Sequence, residues 1–377
     1  MWRFHYLSRI DFRTIPILVG LIFMSLLVIS ATTCETWDKI DESFFTPSVI
    51  NQIKGYGLGL LVYLFFAGFD YQQLKKWSWC LYLLTILMLV GLFFTTPIQN
   101  VQRWYRIPGL GLAFQPSEYA KLFVVMTLSR FLENKTQVIK SKKTALQAIL
   151  IVLIPFFLIL KQPDLGTALV LFPIALVMFY FGGIRRKVVF TMSLLSVLAI
   201  GFVSLMFLDI LPHEEMRPYF TKVLKDYQYE RLNPNTYHQK ASQTAISLGG
   251  MWGNGWRNSE FTGQQWLPAA HTDSVFAAFA EEFGFFGVIV MLLLFFGLIY
   301  FSFQVTAVAK DRFGRLLSAG ITVYLAMHVI ANIGMMCGFL PITGVPLVLI
   351  TYGGSSILST MTALGIIQSV YSRRFMF

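Results

Sequence analysis

Charge is scarce in this chain. Asp, Glu, Lys and Arg supply 13% of its 377 residues, while 56% are hydrophobic and 16% aromatic; a soluble globular domain carries roughly twice that share of charge. Cysteine is scarcer still. Cys34, Cys80 and Cys337 show no C-x-x-C spacing and cannot all pair, so they support neither a disulfide framework nor a cysteine metal site. There is no P-loop, no G-x-G-x-x-G after a strand, no H-E-x-x-H and no G-x-S-x-G. Nucleotide-driven chemistry has no motif to stand on.

What the chain has is long uncharged runs. Several reach the ~20 residues that a helix needs to cross a hydrocarbon core. Lipid satisfies no backbone hydrogen bond, so such spans are helices. The pattern predicts an all-α polytopic membrane protein with about ten spans, near 15–33, 52–69, 78–96, 115–133, 145–161, 164–182, 188–208, 273–303, 316–338 and 354–371. The first run, "IPILVGLIFMSLLVIS", follows a basic start but is not followed by a cleavage site and a soluble domain, so it reads as a span and not a signal peptide.

The net charge of +11 is explained by where the cations fall. One set of alternate loops carries Arg3, Arg9 and Arg13; Lys75 and Lys76; Arg130, Lys135, Lys140, Lys142 and Lys143; Arg185, Arg186 and Lys187; Lys310, Arg312 and Arg315; Arg373 and Arg374. The opposite short loops hold only Lys39, Lys54, Arg103, Arg106 and Lys161. This bias places both termini in the cytoplasm. It leaves no charge excess that calls for nucleic acid. Residues 1–377 read as a single transmembrane domain, and 209–272 as one large extracytoplasmic loop between spans seven and eight, too long to be structureless unless it carries function.

Two spans entering from the loop side begin alike, "QPSEYAKL" and "QPDLGTAL". Pro116 and Pro163 suit a first helical position, and Glu118 and Asp164 suit a first turn. Thr272 in "HTDS" and Ser355 in "YGGSS" read as caps of spans eight and ten. Four helix starts therefore face outward, as ordinary caps of a bundle or as a phosphate-binding set. Glu118 and Lys121, three apart, share one helix face and can pair; inside a membrane such a pair is either functional or a tie between helices.

Asp273, Glu281 and Glu282 lead into the greasiest run of the chain. On one continuous helix Glu281 lies about 12 Å deeper than Asp273 and about 80° around, and Glu282 about 180° away. A two-carboxylate glycosidase site from this helix alone is thereby excluded, and Asp273 acts singly or with groups from elsewhere. Glu281 or Glu282 is a candidate partner for Lys121. His271 reads as a polar cap or a base, and His328 and Asn332, four apart, as a hydrogen-bonded contact to another helix.

In order along the chain stand "RWYRIPGLGLAFQPSEYAKL", "QPDLGTAL", "RLNP", "SQTAISLGG", "LPAAHTDSVFAAFAEEFGFFG" and "NIGMMCGFLPITGVPLVLITYGGSS". With these motifs the chain resembles, over nearly its whole length, the SEDS family of bacterial cell-wall synthesis, and its RodA-like branch more than its FtsW-like branch. The resemblance implies a peptidoglycan glycosyltransferase of the bacterial cytoplasmic membrane that joins lipid II disaccharides on the outer face, with a class B penicillin-binding protein as partner. It implies that Asp273 is the catalytic carboxylate and that Arg103, Gln115, Glu118 and Lys121 line the substrate cavity. Ala269, Ser274 and Val348 stand where the family commonly has Glu, an aromatic residue and Pro.

Such an enzyme must hold an apolar tail, a diphosphate and a hydroxyl nucleophile together. Helix starts at Asp164 and Ser355, with Lys121, Arg103 and Arg231, are candidates for the phosphates, and Asp273 for the base. No cofactor is evident; a divalent cation held by the diphosphate and one carboxylate would leave no sequence motif. Two rival readings are a flippase for a lipid-linked precursor and a non-catalytic scaffold for the transpeptidase.

Overall fold

The computed structural model describes residues 4–33, 43–95, 102–106, 113–207, 210–211, 217–218, 229–230, 233 and 235–375. Among the described residues ten long helices appear where the runs predict them. They are α1 (Thr14–Thr32), α2 (Pro47–Gly68), α3 (Tyr71–Gly91), α4 (Pro116–Asn134), α5 (Lys142–Lys161), α6 (Leu165–Gly182) and α7 (Arg186–Phe207), then, after two short helices, α8 (Tyr237–Leu248) and α9 (Glu260–Gly263), α10 (Val275–Val308), α11 (Arg312–Met336) and α12 (Gly354–Ser372). A two-stranded antiparallel ladder, β1 (Tyr105–Arg106) with β2 (Ala113–Phe114), precedes α4.

Eight of the ten are long and apolar enough to cross a membrane. The other two, α4 and α12, carry more polar side chains, and both are buried along most of their length. That is the expected division: a helix facing lipid must be apolar, while an interior one can hold polar groups that satisfy one another. At the other extreme α7 buries nothing in its apolar window and lies on the rim of the bundle.

The basic loops meet at one end. The Asp11 N–H donates to Gln368 Oε1 at 2.7 Å, and Arg373 approaches Asp70 at 3.8 Å. Tyr71 hydrogen-bonds Asp311, Arg312 donates to the Gly182 carbonyl at 2.6 Å, and Lys75 pairs with Glu133 at 2.7 Å. Both ends of the chain thus share a side with the cation-rich turns, as the charge bias requires.

One predicted span is not continuous. At 34 residues α10 would run about 51 Å, well beyond a 30 Å core, and it breaks at Gly284, whose φ of 63° and ψ of −166° are not helical. The break strips the Glu281 and Glu282 carbonyls and the Phe285 and Phe286 N–H groups of helical partners. Residues 250–255 supply replacements: the N–H groups of Asn254 and Gly255 donate to Glu281 and Glu282 at 3.0 and 2.9 Å, and those of Phe285 and Phe286 donate to Gly250 and Met251 at 2.9 and 3.2 Å. Such a strap is what membrane depth demands of an interrupted helix.

The side chains of the two acids at the break extend the strap through residues 257–262. Glu281 accepts from the Phe261 and Thr262 N–H groups at 2.9 and 3.1 Å and from Thr262 Oγ1 at 2.5 Å, and Glu282 Oε1 from the Arg257 N–H at 3.4 Å. A Cβ on Gly284 would lie 2.3 Å from the Gly253 nitrogen. Gly284→Ala is therefore expected to cost at least about 1–3 kcal/mol, read as a lowered thermal unfolding midpoint in detergent; an unchanged midpoint would show that the strap is not seated on the break.

Candidate functional site

After α11 the chain runs from 337 to 353 without regular structure, yet Leu347, Val348, Leu349 and Ile350 are all at most 1% exposed. Buried backbone of this kind must find its hydrogen bonds elsewhere, and three helices provide them. Ser25 of α1 donates to the Ile350 carbonyl at 2.8 Å. From α2, Tyr56 donates to Leu349 at 2.6 Å and Gln52 to Thr351 at 3.2 Å. From α11, Asn332 donates to Val345 at 2.8 Å and His328 Nδ1 to Pro346 at 3.1 Å. The Leu347 N–H turns back to Thr351 Oγ1 at 2.8 Å.

Asp273 is held against this segment. Residues 269–274 form a tight turn, not the first turn of α10: the Thr272 and Ser274 N–H groups both donate to the Ala269 carbonyl, at 3.0 and 3.1 Å. Asp273 is half-buried. Its carbonyl accepts from Asn332 Nδ2 at 2.9 Å, so one amide ties the turn to Val345. On the other side Gly344, at φ 75°, brings bare backbone past the carboxylate; a Cβ there would sit 3.4 Å from Asp273 Oδ2. The Tyr352 N–H donates to the His271 carbonyl at 3.0 Å and Thr351 Oγ1 to that of Thr272 at 3.2 Å.

The flanking residues differ from their sequence reading. Thr272 is not the cap of α10; Ser274 occupies that position without a capping bond, and Thr272 Oγ1 donates to Ala269 at 3.3 Å. Ser274 is buried, 2.7 Å from His238 Nε2. His271 packs edge-on against Tyr352. Burial lowers its pKa, outweighing the nearby charge of Asp273, which raises it.

The helix starts converge on the same segment. Pro116 does open α4, but α6 begins at Leu165 with Asp164 as its cap, accepting from the Thr167 N–H at 3.3 Å; Pro163 lies outside the helix. Gln115 joins three starts, its N–H donating to Ser355 Oγ of α12 at 3.1 Å and its Nε2 to Asp164 Oδ2 at 3.2 Å. Ser355 therefore caps a neighbour, while Gly353 holds the cap position of its own helix. Arg103 donates to the Gln162 carbonyl at 3.2 Å and to that of Pro163. A Cβ on Gly166 would lie 2.5 Å from the Thr343 oxygen, so α6 abuts the residue next to Gly344. Gln115, Asp164 and Ser355 are thus joined to one another, Arg103 borders them through Gln162 and Pro163, and Gly166 and Asp273 meet the stretch at 343–344. Arg231 lies outside the described residues.

Glu118 and Lys121 lie deeper, at 2% and 0% exposure. Lys121 Nζ is 2.8 Å from Glu118 Oε1 and 2.7 Å from His328 Nε2. Since a carbonyl only accepts, His328 Nδ1 carries the proton toward Pro346, and Nε2 is left to accept from the ammonium. The relay runs from α4 through α11 to the buried segment. Glu281 and Glu282 bond to the strap as described above, which corrects their candidacy as partners of Lys121. His238, Gly344 and the bridging role of Asn332 were missed from sequence; the spacing of His328 and Asn332 was the one available signal.

Set beside known proteins, the chain matches the cell cycle protein family model FTSW_RODA_SPOVE over residues 12–374, and it belongs to that family. Its relatives include the peptidoglycan glycosyltransferase MrdB of Escherichia coli strain K12, 31% identical over 358 residues that cover 94% of this chain and 93% of that one. Stage V sporulation protein E of Bacillus subtilis strain 168 is 31% identical over 372 residues, covering 94% of each. Among solved structures, the rod shape determining protein RodA of Thermus thermophilus superposes with a TM-score of 0.67 at 24% identity over 98% of both chains. A chain of a peptidoglycan synthase complex that coordinates polymerization and crosslinking gives a TM-score of 0.75 at 24% identity over 98% and 99%. The fold is shared throughout, and the RodA-like expectation fits it.

Removing Lys121 leaves a buried carboxylate without its cation. Lys121→Met is expected to cost about 3–5 kcal/mol, and Glu118→Gln with Lys121→Met to recover much of it. Thermal unfolding of purified single and double variants checks this; equal losses would show that charge pairing is not what the cluster contributes.

Proposed function

We propose that this protein is a peptidoglycan glycosyltransferase, polymerising lipid II into β-1,4 glycan at the outer face of the bacterial cytoplasmic membrane. The observation that carries the reading is the half-buried Asp273, beside the bare backbone of Gly344, at the end of the bundle opposite the basic loops. Family membership and relatives bearing that activity in their names support it. Asp273 takes the proton of the acceptor's 4-hydroxyl; the oxygen attacks the anomeric carbon of the lipid-linked donor; the carbon–oxygen bond to the diphosphate breaks, and the polyprenyl diphosphate leaves with the electron pair. One attack from the opposite face inverts α to β.

The helix starts at Gln115, Asp164 and Ser355 supply N–H groups and partial positive charge near the diphosphate. Arg103 is placed to add a guanidinium. In this assignment Glu118 and Lys121 serve from beneath: through His328 they fix the backbone of the segment that bears Gly344. A divalent cation, held by the diphosphate and one carboxylate, would add charge stabilisation at the same place. The partner is a class B penicillin-binding protein that cross-links the product, a reading supported by the shared fold with a chain of a polymerizing and crosslinking complex.

Loss of a general base typically costs 10² to 10⁴ in rate. Asp273→Asn is expected to lose roughly that much lipid II polymerisation, assayed in detergent with the partner transpeptidase present, while unfolding at the wild-type temperature. Full-length glycan from the variant at wild-type rate would remove the base from the mechanism. Absence of polymer from wild type and partner together would favour a flippase or a scaffold.

A further inference from the structure

At the basic end, far along the bundle from Asp273, a groove of about 480 Å³ opens between α3, α4 and α5. Its inner wall is Trp79, Phe131, Leu150 and Ile151, and its mouth Asn134, Lys135 and Gln147. The polarity is ordered along the helix axes. On α4, Asn134 and Lys135 lie one turn beyond Phe131, at the helix end. On α5, Leu150 and Ile151 lie one turn deeper than Gln147, and Trp79 stands about 12 Å into α3. Trp79 and Leu150 are 41% and 46% exposed, so that part of the wall is open to acyl chains, with Phe131 and Ile151 buried behind it. The side-chain amides of Asn134 and Gln147 find no hydrogen-bond partner among the described residues.

Charge is concentrated at the mouth. From Lys135 to Lys143 the sequence "KTQVIKSKK" holds four lysines and no acid, and the nearest carboxylate, Glu133, is taken by Lys75. Lys142 and Lys143 fall at the start of α5, where no acidic residue offsets them and where cations oppose the helix dipole. Lys143 precedes Gln147 by four residues and so shares its face. A sidedness bias explains lysines in this loop. It does not explain a graded groove beneath them, nor two unpartnered amides at its mouth.

We propose that this groove binds one anionic phospholipid from the adjoining leaflet, with the phosphate at Lys135 and Lys143, headgroup hydroxyls at Asn134 and Gln147, and an acyl chain along Trp79, Leu150 and Ile151. A free anion would leave the apolar wall unused, and a zwitterionic lipid would leave the cations unmatched. A basic pocket between membrane helices is a recurrent form of lipid recognition, each cation near the surface contributing about fivefold.

The test uses the full-length protein in detergent, offered phosphatidylglycerol and phosphatidylcholine in equal amounts. Native mass spectrometry is expected to show a preference for phosphatidylglycerol of about fivefold or more, falling toward parity in Lys135→Gln/Lys143→Gln. A second measurement needs no charge variant: phosphatidylglycerol brominated on its acyl chain should quench wild-type tryptophan emission more than that of Trp79→Phe. An undiminished preference in the lysine variant, or equal quenching with and without Trp79, would overturn the proposal. Displacement of the lipid by glycerol phosphate alone would overturn it in favour of a free-anion site.

Discussion

A stretch of backbone that is neither helix nor strand lies buried at the centre of this membrane protein, and each of its N–H and C=O groups is a liability there unless something answers it. The segment 343–353 is answered by Ser25, Gln52, Tyr56, His328 and Asn332, polar residues set singly into otherwise greasy helices. Each looks like a flaw in its own helix. Together they form the socket in which the loop is held.

The site inherits its geometry from that socket. Gly344 passes the carboxylate of Asp273, Gly166 seats the start of α6 on Thr343, and Asn332 joins the Asp273 turn to Val345. A carboxylate at a helix mouth would otherwise be free to swing. Here its backbone is fixed from two sides while its side chain remains half-exposed, a combination suited to a group that must meet a substrate repeatedly in one orientation. The buried Glu118, Lys121 and His328 extend the same frame downward, joining α4 through α11 to the Pro346 carbonyl.

Much of this was legible in the sequence. The long apolar runs marked eight helices long and apolar enough to cross a membrane, because lipid-facing helices have no other composition open to them; α4 and α12, which face the interior, are more polar. The motif from Asn332 to Ser356 and the "HTD" string meet in the structure at Asp273 and Gly344. Cap assignments fared worse: Thr272, Pro163 and Ser355 sit beside helix starts in sequence, but caps are settled by the neighbouring chain, as when Ser355 receives the N–H of Gln115. The break at Gly284 was hidden because a glycine among phenylalanines reads as part of the run. Its cause, the strap at 250–255, lies about thirty residues upstream and replaces the lost helical bonds through backbone. Glu281 and Glu282 could not be assigned either: apart from the Thr262 hydroxyl their partners are N–H groups, which every residue but proline offers.

The non-helical segment 343–353 is as firmly hydrogen-bonded as the helices around it. Amide hydrogen exchange of the solubilised protein tests it most directly. Slow exchange is predicted at Leu347, Ile350, Thr351 and Tyr352, whose N–H groups are all engaged, at rates matching the middle of α11. Exchange there as fast as at the exposed ends of the chain would mean that the segment opens freely, and that Asp273 has no fixed wall to stand against.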